Sequence, residues 1–254
     1  MCFLVKLFYD RGYISFIEWV SQMSDMTLNY CYQFNFPDKQ PIELKLEIDS
    51  ETTTLKSTQD DMPFWIALGF NQCPNCPLSL DKELVCPVAN NLIPLLNVVD
   101  SLVSYDQVNV VITTPDRTIT AETTMQRAVS AILGLIMATS PCPHTEFLKP
   151  MARFHLPLAN EQETIYRTTS MYLLAQYFKS KNGLDYEMGF VGLTEIYENL
   201  QVINRALADR FRAAIKQDAT VNAIILLDLL SQAVTWSIED QLEEMQGLFK
   251  RFSE

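Results

Sequence analysis

Four of the six cysteines in this 254-residue chain are followed directly by proline: Cys73, Cys76, Cys86 and Cys142. The spacing is C-x2-C-x9-C-x55-C. Two thiolates three residues apart on a tight turn can chelate one ion, because the turn aims both sulfurs inward. A third arrives from the end of the same short loop. The fourth has to come from the loop between the two halves of the chain, so a fold that unites the set must return residue 142 to residues 73–86. Four thiolates satisfy tetrahedral Zn²⁺, and equally the four corners of a [4Fe–4S] cluster. The prolines stiffen the loop and remove an N–H donor next to each sulfur. Cys-Pro pairs occur beside iron–sulfur ligands, in zinc knuckles and in haem-binding dipeptides, so proline does not choose the metal. Taken singly, a cysteine is a small apolar residue that packs in a core. The concentration of Cys-Pro pairs in a chain of 12 prolines favours a shared site over four separate thiols. A free C-x-x-C redox pair would need a βαβ setting, which the pattern lacks. Cys2 and Cys31 have no cysteine near them in the right register and read as bystanders.

The chain has two histidines, and both fall close to Cys142, in the segment Ser140 to Pro157. Four prolines (141, 143, 150 and 157) make this segment an ordered loop rather than a helix. Loops held between rigid elements are where sites tend to lie. His144 is a candidate to replace a cysteine as ligand, or to donate a hydrogen bond to a coordinated sulfur. Arg153 and His155 are candidates for contact with an anionic group, and His155 for moving a proton. The plain alternative is that each ring makes a buried hydrogen bond that fixes the loop.

Composition removes the commonest enzyme signatures. Glycine occurs seven times, where average usage predicts roughly 18. Neither G-x-G-x-x-G nor G-x-x-x-x-G-K-[ST] is present, G-x-S-x-G is missing, and the two histidines cannot form H-E-x-x-H. The formal net charge of -12 disfavours nucleic acid and anionic lipid as partners. The longest strongly apolar helical stretch, Ala131 to Ala138, is too short for a membrane span. Residues 1–8 are broken at Lys6 and make a poor signal peptide. A cytoplasmic protein is expected, and there clustered cysteines are metal ligands or reactive thiols more often than disulfides.

Periodicity predicts an α+β protein. Residues 1–25 form an extension with two readings: a helix from Ile14 to Met23, or an upstream start with translation from Met23 or Met26. Residues 26–122 form an α+β part that carries the cysteine knuckle. There, Leu28, Tyr30, Tyr32, Phe34 and Phe36 alternate with polar residues, as do Ile42, Leu44, Leu46 and Ile48, giving an antiparallel hairpin. Ser50 to Asp61 reads as a loop, and Phe64 to Phe70 as a short strand leading into the cysteines. A helix from Val88 to Tyr105 precedes a second hairpin, Val108–Ile112 with Arg117–Ala121. Residues 123–254 read as an all-α helical bundle. Its first helix runs from about Glu122 to Ala138. Asn160 and Glu163 fit a capping box for a helix to Lys179, followed by helices at 190–217, 220–237 and 239–252. Glu163 and Arg167 stand at i,i+4 and read as a surface pair; Asp228 reads as solvent-facing, or as a buried acid opposite Arg205.

Cys73-Pro-Asn-Cys-Pro-Leu78, Cys86-Pro-Val-Ala89, Pro141-Cys-Pro-His144 and Phe147-Leu-Lys-Pro-Met-Ala-Arg-Phe-His-Leu-Pro157 resemble the signature segments of an uncharacterised bacterial family, a domain of unknown function. So does Glu163-Thr-Ile-Tyr-Arg167 with the run from Ser170 to Phe178. The resemblance covers Met26 to the C-terminus. It implies a bacterial, cytoplasmic protein with a four-cysteine site, and it supplies no activity.

The sequence therefore reads as a metal-binding protein whose process is not specified. In the first reading the Cys73/Cys76/Cys86/Cys142 centre holds structural zinc and supports binding of a protein or small-molecule partner. In the second it holds [4Fe–4S], and the chain is a redox carrier, sensor or enzyme with His144, Arg153 and His155 near the reactive face. A metal-free thiol protein is the third.

Overall fold

The computed structural model describes residues 27–56, 62–99, 102–214 and 219–252. The two readings of residues 1–25, and Cys2 with them, lie outside the described residues. So does part of the loop expected at 50–61.

The alternating segments form strands β1 (Thr27–Asn35), β2 (Ile42–Asp49), β3 (Gln107–Thr113) and β4 (Thr118–Thr124). The two hairpins are not separate. β1 pairs antiparallel with β3, placing Tyr32 opposite Ile112 and Phe34 opposite Val110. The result is one antiparallel sheet of order β2-β1-β3-β4. Leu28, Tyr30, Tyr32, Phe34, Leu44, Leu46, Val110 and Ile112 share its buried face, as the period of two requires.

Helices α1 (Pro87–Val99) and α2 (Met125–Ala138) follow, and their apolar stripes join the sheet in a single core. A short α3 (Lys149–Arg153) leads to α4 (Glu161–Lys181), α5 (Val191–Ala214) and α6 (Ala219–Met245). α6 packs against both α2 and α5. The chain is thus α+β, with the sheet in its N-terminal half and most of the helices in its C-terminal half.

The ends of α4 follow from local chemistry. Glu163 N–H donates to Asn160 Oδ1 and Asn160 N–H donates back to Glu163 Oε2, both at 2.8 Å, which is the expected capping box. At the other end Gly183 takes φ +69°. Leu184 N–H then donates to Lys179 O and Gly183 N–H to Ser180 O, a Schellman closure.

Five local expectations are corrected. Phe64 to Phe70 is no strand: Phe64–Ile66 is a 3-10 turn, and pairing shrinks to one Ala67–Val85 bridge. The expected helices at 220–237 and 239–252 are one helix, α6, then a 3-10 segment, Gln246–Phe252. No glycine or proline interrupts the run before Gly247, so nothing stops the helix at 238. The 141–157 segment contains a 3-10 turn (Glu146–Leu148) and α3; Pro150 sits in the first turn, where its missing N–H is harmless. Glu163 and Arg167 form no ion pair, because Glu163 is engaged in the capping box while Arg167 Nη2 donates to Met151 O and Phe154 O. Asp228 and Arg205 do not meet either: Asp228 Oδ2 accepts from Gln232, and Arg205 donates to Gln201 Oε1.

Candidate metal centre

The cysteine loop is pinned at its base. Leu68 N–H donates to Leu84 O (2.9 Å) and Cys86 N–H to Ile66 O (2.8 Å), so residues 68–84 leave and return at one point. Within the loop Cys76 N–H donates to Cys73 O at 3.0 Å, closing the C-x-x-C turn. Cys86 lies just before α1, and its carbonyl accepts from Asn90 N–H at 2.9 Å. Cys86 is therefore the residue just before the first turn of α1.

Cys142 arrives from the turn after α2. Its carbonyl accepts from Thr145 N–H and Glu146 N–H. His144 ties this turn to the cysteine loop: its Nε2 is 2.7 Å from the carbonyl oxygen of Asn75, between Cys73 and Cys76. Asn75 Nδ2 in turn donates to Asn199 Oδ1 of α5 at 2.7 Å. His144 thus acts at the cysteine loop through a backbone carbonyl.

The other cysteines bear on Cys73 and Cys142. Burial pushes Cys73 up to about 12, and the Cys86, Cys76 and Cys142 thiols push the same way. Cys142 is raised too, chiefly by burial; Cys86 and Cys76 add to this, while backbone N–H groups of His144 and Thr145 oppose it. Among the described residues no group of three or more His, Cys, Asp or Glu side chains is placed to hold a metal ion.

Arg210 of α5 completes the neighbourhood. It is 1% exposed. Its Nη1 donates to Trp65 O (2.7 Å) and Ala67 O (2.8 Å), and its Nη2 to Leu68 O (3.0 Å). Its Nε has no partner. Burial lowers its pKa, and the Cys86, Cys73 and Cys76 thiols oppose that shift. Among the described residues Arg210 makes no ion pair with a carboxylate. A buried cation without an anion is costly, and the groups whose charge bears on it are the Cys86, Cys73 and Cys76 sulfurs. Sequence reasoning missed Arg210, because an arginine in a long helix reads as surface charge.

His155 and Arg153 belong elsewhere. His155 Nε2 is 2.7 Å from Tyr32 Oη, and Tyr30 packs edge-on against the ring. Burial and the nearby Arg167 push His155 down to about 3, so the ring is neutral. Arg153 is exposed and lies over Phe154. Cys31 donates to Glu43 Oε1 on the open face of the sheet, apart from the other thiols.

A second feature lies among α2 to α6. A cavity of about 500 Å³ is lined by apolar residues such as Leu135, Met151, Leu156 and Leu200, with His155 and Asn204 among its polar groups. Asn204 is 3% exposed. Its Nδ2 donates to Ser231 Oγ, while its Oδ1 has no partner.

A family model described as a domain of unknown function (DUF6901) matches residues 30–250, nearly the whole chain. The chain belongs to this family. The DUF6901 match spans all four Cys-Pro cysteines, His144 and Arg210. No curated protein and no solved structure matches the chain. Among the described residues no helix is long and apolar enough to cross a membrane.

Proposed function

We propose that the chain is a metal-binding protein in which Cys73, Cys76, Cys86 and Cys142 hold one structural zinc. The metal ties the cysteine loop to the start of the helical half and so supports binding of a partner or ligand. The observation that carries this is the 2.7 Å contact of His144 Nε2 with Asn75 O, which ties the turn of Cys142 to the loop of Cys73 and Cys76, beside a buried arginine that has no carboxylate. A zinc tetrathiolate carries two negative charges, and Arg210 offsets one of them. Binding releases the thiol protons, so it weakens on acidification.

The test is metal analysis and a visible spectrum of protein purified without oxygen. One zinc per chain in a colourless sample is the expected result. A brown sample with absorption near roughly 400 nm and about four irons per chain overturns zinc in favour of the cluster. No metal, with four titratable thiols in the folded protein, overturns both. Cys142→Ser is expected to lower metal binding and Cys31→Ser to leave it unchanged. A Cys142→Ser variant that binds as wild type removes Cys142 from the set.

A second role rests on the cavity. The unpartnered Asn204 Oδ1 at an apolar wall suits a mainly apolar small molecule with one hydrogen-bond donor. Decanol is a suitable probe. It is expected to raise the melting temperature of the wild type and not of Asn204→Leu; equal shifts in both would remove this role.

A further inference from the structure

Helix α4 is apolar on the wrong side. Its buried face holds Thr168, Thr169 and Gln176 beside Ile165 and Tyr172. Its solvent face carries Tyr166 (49% exposed), Leu173 (38%), Leu174 (54%), Tyr177 (57%) and Phe178 (51%). These recur at the three- and four-residue spacing that makes one stripe along a helix. Half-exposed side chains of this size leave on the order of 100 Å² each, so the five form a patch of about 500 Å². Contiguous apolar patches above a few hundred Å² mark interaction sites on soluble proteins.

The order of residues along the stripe points to its occupant. Glu163, Tyr166, Ser170, Leu174, Phe178 and Lys181 follow one another at intervals of three or four. Glu163 and Lys181 are both exposed. The track is complementary to its own reverse. Laid antiparallel on a second α4, with a two-fold axis level with residue 172, Tyr166 meets Phe178, Ser170 meets Leu174, and Glu163 meets Lys181. Antiparallel helices also align their dipoles favourably. A two-fold interface is isologous, so one self-complementary patch suffices. Two such patches cover about 1,000 Å² together, the lower bound for a specific interface.

We propose that the chain forms a homodimer by antiparallel pairing of α4 with α4 of a second copy, independently of the metal centre. The full chain is run on size exclusion with light scattering at micromolar concentration. A mass of twice 29.1 kDa is expected. A monomer overturns the proposal, including the case in which residues 1–26 cover the stripe. Leu174→Arg is exposed, so it is expected to fold, as circular dichroism checks, and to run as a monomer; a dimer that survives it lies on another surface and overturns the proposal. Lys181→Glu sets two carboxylates opposite each other and is expected to weaken the dimer at least tenfold. A dimer of wild-type strength in Lys181→Glu, with helicity retained, overturns the antiparallel register.

Discussion

The pairing of His155 with Tyr32 makes stability depend on pH in a way that can be worked through. The imidazole titrates at 6.5 in the unfolded chain and at about 3 in the folded one, chiefly because it is buried and secondarily because Arg167 is near. Tyr32 is fully buried and raised far above its usual range, so its hydroxyl keeps its proton throughout. Between these two histidine values the unfolded state binds a proton that the folded state refuses. The contribution is therefore complete above 6.5, falls as pH drops through 6.5, and is gone near 3. Each pH unit within that window is worth about 1.4 kcal/mol, so lowering the pH from about 7 to about 4.5 costs roughly 2–3 kcal/mol. Urea unfolding of the wild type and of His155→Gln at both pH values isolates this part, because other titrating groups are common to both proteins. The wild type is expected to lose about 2–3 kcal/mol more than the variant. Equal losses would refute the reasoning, since they would mean that His155 takes up its proton as readily folded as unfolded.

Two further outcomes test other parts of the structure. Arg210→Lys replaces a fork that reaches three carbonyls with a single ammonium; a loss of about 2–4 kcal/mol in urea unfolding is expected. Arg210→Met removes the charge as well; its loss should be larger with metal bound than after chelation, and equal losses would remove Arg210 as the counter-charge of the centre. Gly183→Ala forces a Cβ into φ +69° and is expected to cost about 1 kcal/mol by thermal unfolding, as is Asn160→Ala at the other end of α4.

Much of the local structure is legible in the sequence. Alternation identifies β1 to β4 to within three residues at each end, because a half-buried strand needs one apolar face. The Asn160–Glu163 box marks the start of α4, since its hydrogen bonds are made between residues three apart. Spacing alone nominates Cys73, Cys76, Cys86 and Cys142, and the structure brings these thiols within range of one another's charge.

The rest is decided by contacts between residues far apart, on which local patterns are silent. The pairing of β1 with β3 merges two hairpins into one sheet. Arg210 reaches the carbonyl of Trp65 from 145 residues away. That reach converts an apparent strand at 64–70 into a turn held by a guanidinium. His155 reads as a candidate for proton transfer, yet it lies against Tyr32, 123 residues away, and burial keeps it neutral. Even α4, whose ends are written in its own sequence, turns Thr168 and Thr169 inward and Tyr166, Tyr177 and Phe178 outward. Periodicity reports that a helix has two faces. Only packing decides which of them the core takes.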